Sequence, residues 1–298
     1  MNLSEDIYEE LITFGLINKN NINFKEIHNK DGIYLYRVKY HNDFFVLKYF
    51  LKDEYKREIF NHSLLKELGV PTIKVLGSTD RSILLEDLDE SINYRLGTES
   101  DLSDIEVAKA LAKWYVKLHN MGSRYITKAN LDFYREIDNI TKENIEFIKN
   151  KSNTSDNRIW DLITDNWSLF LENITNLEET LVYNDFYWTN LVVSFDKNEA
   201  MMFGYNLLGV GIGYNDVRNV CSSLSEKAQK VFMDEYGRFN EREKIVDDGI
   251  SNLVCMISAY KRPIFPKWAE SSVNAIYNGT LEKYIKKILE LPYIRLKN

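Results

Sequence analysis

The stretch Leu181 to Asp216, LVYNDFYWTNLVVSFDKNEAMMFGYNLLGVGIGYND, decides the fold. It opens on a short apolar strand, Leu181 to Tyr183, and sets Asp185 and Asn190 five residues apart in the loop that follows. An apolar strand from Leu191 to Phe195, the polar turn DKNEA and a second strand from Met201 to Tyr205 then read as a hairpin. The run GVGIG lacks the GxGxxG spacing of a dinucleotide fingerprint, and no βαβ unit precedes it, so that reading is rejected.

Working back from this stretch, Phe24 to His28, Ile33 to Tyr40 and Phe44 to Phe50 alternate apolar and polar residues. NKDG and HND break them, which predicts an antiparallel three-strand meander. Lys74 to Ser78 and Ser82 to Glu86 complete a five-stranded sheet. The third strand, FFVLKYF, sets Lys48 among apolar neighbours, and the next segment carries Glu58 on a helix whose apolar spacing is Ile59, Leu64, Leu65, Leu68. Leu85-Glu86-Asp87-Leu88 fits a hinge, where backbone groups can pair with the edge of a base. Beyond it the chain turns helical. Ser103 and Glu106 predict a capping box for a helix running through Val107, Leu111, Trp114 and Leu118 to Gly122, and further helices are expected over Asn139 to Asn150 and Asp156 to Ile174. The expected partition is a β-rich lobe over 1–88 and a helical lobe over 89–298.

The 298 residues, 44% hydrophobic, are enough for two lobes with cores of their own. No apolar run approaches the roughly 20 residues that cross a bilayer, and the N-terminus MNLSEDIYEE is acidic where a signal peptide is basic, so a cytoplasmic protein with no membrane partner is expected. A net charge of -7 argues against nucleic acid as a partner and for a small molecule. Cys221 and Cys255 read as buried free thiols. His28, His41, His62 and His119 have no metal spacing and read as surface or helix-end residues.

Strand lysine, helix glutamate, hinge, LH-type helix end, Asp-x4-Asn loop and hairpin all occur in order. Over most of its length the chain thus resembles the aminoglycoside phosphotransferase and choline kinase group of the protein-kinase-like fold, in which the loop reads roughly HGDxxxxN. The resemblance implies an α+β, two-lobed fold with a small antiparallel N-lobe sheet and a mainly helical C-lobe. It implies transfer of a phosphoryl group from ATP or GTP, with Mg²⁺, to a hydroxyl of a small-molecule acceptor. By the same resemblance Lys48 contacts the phosphates, Glu58 holds Lys48, and Glu86, Asp87 and Leu88 line the base site. Asp185 is the base that takes the acceptor's proton, Asn190 binds metal and phosphate oxygens, and Asp216 supports the loop of 183–190. The best candidate for covering the phosphates is the turn Asn29 to Gly32.

Three positions depart from the pattern. Tyr183 and Asn184 stand for the usual His and Gly of the loop and serve its geometry. The pattern IDxxxxGxGxxxxD, with Gly209 and Gly211 on the glycine pair and Asp216 on the last Asp, puts Gly204 where a metal-binding Asp belongs. Three explanations are open: a pseudokinase that binds without turnover, an enzyme that recruits Asn206 or Asp196 as ligand, or a replacement of the natural residue. Asp234, Glu235, Glu241, Glu243, Asp247 and Asp248 form an acidic stretch that can face a cationic acceptor, with Trp268, Tyr260 and Tyr277 as an aromatic wall.

Overall fold

The computed structural model describes residues 3–16, 22–126 and 133–292. It begins with α1 (Leu3–Thr13), β1 (Ile22–Lys30), β2 (Ile33–Tyr40), β3 (Asp43–Phe50), α2 (Arg57–Glu67), β4 (Val75–Ser78), β5 (Ser82–Glu86) and β6 (Tyr94–Leu96). The helices α3 (Ile105–Ile126), α4 (Lys142–Lys151), α5 (Ile159–Asp165) and α6 (Trp167–Thr175) follow. Next come β7 (Thr180–Val182), β8 (Leu191–Ser194), β9 (Ala200–Met202), β10 (Gly209–Gly211) and α7 (Gly213–Cys221). The last helices are α8 (Glu226–Tyr236), α9 (Glu241–Tyr260), α10 (Glu270–Tyr277) and α11 (Thr280–Leu289).

The α+β reading holds. The five N-terminal strands pair antiparallel in the order β1-β2-β3-β5-β4. The turns that join them owe their shape to residues tolerating left-handed backbone, with φ +57° at Asp31 and +93° at Gly32. Helix α1 had no counterpart in the sequence reading. Its Ile7 and Leu11, one helical turn apart and fully buried, pack with Tyr36, Val38, Leu47, Tyr49 and Leu84 of the sheet. Covering that apolar face stabilises the fold by about 2 kcal/mol for each such side chain.

Contacts divide the chain into two compact units, 1–121 with 183–208 and 220–236, and 122–182 with 209–219 and 237–298. This division does not run at residue 88. In the first unit, β6 pairs with β8, Gly97 N–H donates to the Leu191 carbonyl at 2.7 Å, and Trp114 Nε1 donates to the Pro71 carbonyl at 2.8 Å. The segment after the hinge is therefore tied to the hairpin of β8 and β9 and to the loop before β4.

The second unit is a helical core of α4, α5, α6, α9, α10 and α11 around Trp160, Phe170, Leu253, Ile257, Ile285 and Ile288. Its two-stranded ribbon, β7 with β10, requires glycine for close approach. A Cβ at Gly209 would lie 2.1 Å from the Tyr134 carbonyl oxygen, and one at Gly122 would lie 2.5 Å from the Leu181 nitrogen.

Three local expectations are corrected. The capping box forms at Thr98 and Asp101 instead of Ser103 and Glu106, and α3 is capped by the Asp104 side chain, which accepts from Glu106 and Val107 N–H. That helix runs through Gly122, a packing glycine, to Ile126. The helix expected over 156–174 is two, broken at Asn166, whose side chain donates back to the Leu162 carbonyl at 2.9 Å.

Candidate active site

The first unit contains a cavity of about 310 Å³, lined among others by Leu35, Val46, Ile73, Leu85 and Phe203 on its apolar walls. The strand register builds it. Val46 pairs with Leu85, and Lys48, two residues on and so on the same face of β3, reaches the same space. Glu86, Asp87 and Leu88 of the expected hinge line the rim. Their side chains have other duties: Glu86 accepts from Lys74 N–H at 2.8 Å, and Asp87 is held by Arg37 Nε at 2.6 Å. Arg37, on β2, also pairs with Asp89. The sequence reading missed this arginine, which buttons the second strand to the hinge.

Lys48 Nζ donates to both carboxylate oxygens of Glu58 at 2.7 Å. The helix supplies that carboxylate from its first turn, and Glu58 is 1% exposed. Burial alone would raise its carboxyl. The Lys48 ammonium and the neighbouring His62 overcome that and hold it down at about 2. His62, one helical turn from Glu58, is buried against Tyr205 with ring centres 4.7 Å apart, and His119 is buried too, its Nδ1 2.9 Å from the Tyr236 hydroxyl. Neither is the surface histidine expected, because aromatic neighbours cover both rings.

The loop of 183–190 lies in the same unit. Asn190 Nδ2 donates to the Asp185 carbonyl at 3.1 Å and to Asp185 Oδ2 at 3.2 Å, which fixes the carboxylate and leaves Oδ1 for another partner. Burial raises the Asp185 carboxyl, while Asn190, Lys30 and Lys48 pull the other way. The two departures in this loop have physical roles. Asn184 adopts φ +65°, a conformation Asn tolerates nearly as Gly does, and donates to the Leu207 carbonyl at 3.0 Å. Tyr183, fully buried, donates its hydroxyl to the Phe203 carbonyl at 2.6 Å.

Gly204 lines the cavity next to Phe203 with φ +77°, and no neighbouring atom lies within 4 Å of where a Cβ would stand. The residues after it are clasped by α2. Asn61 Nδ2 donates to the Tyr205 carbonyl at 2.7 Å, Arg57 Nε donates to Asn206 Oδ1 at 3.1 Å, and Tyr205 is buried between His62 and Tyr183. Neither proposed substitute ligand reaches the cavity wall. Asn206 is bound by Arg57, and Asp196 closes the β8–β9 turn by accepting from the Ser194 hydroxyl at 2.7 Å and from Asn198.

The divalent metal that the resemblance implies meets a poor donor set. Position 204 offers a hydrogen, both Glu58 oxygens face Lys48, and no cluster of three His, Cys, Asp or Glu side chains able to hold a metal occurs among the described residues. What remains for a metal ion is Asp185 and Asn190 of the loop, one carboxylate and one amide, a set that would depend on substrate phosphates for the rest of its oxygens.

In the second unit, Asp216 is buried on α7. Close by, Arg218 donates to Asp247 and Asn215, and Asn215 Nδ2 donates to Glu136 at 3.2 Å. The expected acidic stretch is not one face: Asp234 and Glu235 lie on α8, Asp247 is buried against Arg218, and Glu243 accepts from Tyr214 N–H at 3.1 Å. The expected aromatic wall is likewise engaged, since Arg262 lies 5.5 Å over the Trp268 ring and the Tyr277 hydroxyl donates to the Ser152 carbonyl at 3.3 Å. Cys221 and Cys255 are free, and burial raises both thiols, Cys221 to about 11. No helix among the described residues is long and apolar enough to cross a membrane.

No protein-family model matches the chain. No curated protein matches it either. Solved structures share its fold. The chain is similar to choline kinase LicA from Streptococcus pneumoniae at 13% identity and a TM-score of 0.60, over 98% of this chain and 100% of that one. It is similar to macrolide 2'-phosphotransferase MphH from Brachybacterium faecium at 13% identity and a TM-score of 0.56, again over 98% and 100%. A third similar structure is spectinomycin phosphotransferase APH(9)-Ia in complex with ADP and spectinomycin, at 11% identity and a TM-score of 0.54, over 96% and 97%. The chain has the protein-kinase-like fold these small-molecule kinases and phosphotransferases share.

Proposed function

We propose that this chain is a phosphotransferase that moves the terminal phosphoryl group of ATP or GTP to a hydroxyl of a small molecule. The observation that carries the reading is the Lys48–Glu58 pair, formed at 2.7 Å and lining an apolar cavity in the unit that also holds the Asp185–Asn190 loop. Apolar cavity walls suit a purine base, and an ammonium lining the same cavity suits phosphate oxygens.

In the proposed reaction Asp185 Oδ1, left free by Asn190, accepts the proton of the acceptor hydroxyl. The acceptor's oxygen, freed of its proton, attacks the terminal phosphorus, the bond to the bridging oxygen breaks, and the electron pair leaves with the nucleoside diphosphate. Lys48 holds the phosphates in line, and Glu58 keeps Lys48 in place. The acceptor proposed is cationic, such as an aminoglycoside or a choline-like compound; Glu241, exposed, and Asp248, half-buried, are the acidic residues of α9 that support this. Asp216 is proposed as structural support, and the partition at residue 88 as a functional one between base-binding and acceptor-binding parts.

Gly204 favours a second reading, a nucleotide- or ligand-binding module without turnover. The two are separated by measuring thermal stabilisation by ATP and GTP together with nucleotide consumption across a panel of choline, ethanolamine and aminoglycosides. The phosphotransferase reading expects stabilisation plus turnover that Asp185→Asn abolishes. Stabilisation without turnover on any acceptor supports the binding module, and no stabilisation by either nucleotide overturns the phosphotransferase reading and leaves only a module for another ligand.

A further inference from the structure

We infer that the loop of 261–269, KRPIFPKWA, docks on an anionic lipid bilayer and holds the protein at a membrane surface without crossing it. This goes beyond the phosphotransferase reading and does not depend on it. The loop joins α9 to α10 in the second unit. It carries Lys261, Arg262 and Lys267 and no acid, in a chain whose net charge is -7; the next carboxylate, Glu270, opens α10. All three cations are exposed, and among the described residues none has a carboxylate partner. Between them stands Ile264, 83% exposed, and Trp268 follows at 48% with Arg262 5.5 Å over its ring. The loop is tied back on the helix it leaves. Arg262 N–H donates to the Ala259 carbonyl at 3.1 Å, and Phe265 packs on Tyr260 with ring centres 4.6 Å apart.

Cations just past a helix end complement its dipole, which alone would account for Lys261 and Arg262. It does not account for an isoleucine left almost wholly in water between two prolines. An exposed aliphatic side chain, an indole and unpaired Lys and Arg are together what an interfacial segment presents. The apolar group enters the boundary of head groups and acyl chains, the indole sits at head-group level, and the cations meet anionic lipid. The loop's nine residues fall short of the roughly 20–30 that a stable protein interface takes from each side, whereas a bilayer surface admits a single loop. The expectation of no membrane partner concerned spanning segments, and no helix among the described residues is long and apolar enough to cross. Contact through this loop is with the surface alone.

The test is flotation of the full chain with vesicles of phosphatidylcholine alone and with about 30% phosphatidylserine. The expected result is a bound fraction at least about fivefold higher on the anionic vesicles, falling back in high salt. Ile264→Asp is expected to lower that fraction about fivefold or more and to leave the melting temperature unchanged, since the side chain it replaces is exposed. Lys261→Gln combined with Lys267→Gln is expected to remove the preference for phosphatidylserine. Equal binding to both vesicles, binding to neither, undiminished binding by a folded Ile264→Asp chain, or a preference that survives the double variant each overturns the inference. A dimer that forms without lipid and is lost in Ile264→Asp, with no vesicle binding, overturns it too and gives the loop to a second copy of the chain. None of these outcomes bears on nucleotide binding.

Discussion

Two glutamates show how placement sets the sign of a charge's contribution. Glu58 is buried but bonded through both oxygens to Lys48, and its carboxyl is held down at about 2. Its stabilisation is present above the ordinary carboxyl range and is lost only as the pH falls from about 4.5 toward 2. Glu136 is the opposite case. Burial raises its carboxyl to about 7, the Arg218 charge pulls it back, and Asp247 and Asp216 push it up again. A carboxyl raised in the fold favours the protonated folded state, so its contribution is fully present below about 4.5 and fades as pH rises through 7. Denaturant melts at pH 5.5 and 8 are expected to show a loss on the order of 2 kcal/mol at the higher pH from this group. Glu136→Gln is expected to flatten that slope and raise stability at pH 8. An unchanged slope in the variant would assign the pH dependence elsewhere.

At the scale of elements, two substitutions test the packing. Leu11→Ala empties a fully buried site between α1 and the sheet and is expected to cost about 2–4 kcal/mol in equilibrium unfolding. Gly209→Ala is expected to destabilise the chain by more than about 2 kcal/mol, because its Cβ would stand 2.1 Å from the Tyr134 carbonyl oxygen and the bridge between Tyr134 and Gly209 must part to admit it. A melting temperature equal to that of the unmodified chain would show that the backbone approach at Gly209 relaxes freely. Most elements here were legible in the sequence. The strands Ile33–Tyr40 and Ser82–Glu86 have the bounds expected of them: the first alternates apolar and polar residues, and the second is a short apolar run, buried at four of its five positions. Helix α1 was passed over because its two buried residues are too few to make a stripe against an acidic background. The capping box was misplaced because Thr98-x-x-Asp101, which caps the 3₁₀ turn before α3, uses Asp where the usual box has Glu or Gln, while α3 itself starts from Asp104.

For the molecule as a whole, the fold was legible because lysine, glutamate, hinge segment, Asp-x4-Asn loop and hairpin come in one order, and each local signal agreed with the next. Lys48 and Glu58 meet, as the resemblance implied, and Asn190 donates to Asp185 within its loop. What stayed hidden were long-range partners: Arg37 with Asp87 is 50 residues apart, and Asn61 with Tyr205 is 144, distances at which sequence pattern carries no pairing information. These contacts make a specific demand on any shorter piece of the chain. Residues 1–88 alone lack Phe203, Gly204 and the Tyr205 that buries against α2. That fragment is expected to unfold without cooperativity and to show no thermal shift with ATP or GTP. A cooperative, nucleotide-responsive fragment would show that the sheet and α2 suffice.

The first unit is assembled from 1–121, 183–208 and 220–236, three stretches parted by pieces of the second. During synthesis the sheet and α2 leave the ribosome long before the hairpin that completes the wall of their cavity, and at ordinary elongation rates that wait lasts several seconds. In that interval the face of α2 that Tyr205 will cover, with Asn61 and His62, stands open, and the nascent chain presents a half-built pocket to whatever chaperone or stray hydrophobic surface arrives first. Slow codons between residues 121 and 183 would lengthen that exposure, and fast ones would shorten it, so translation speed over this segment bears directly on how much of the protein reaches its folded state.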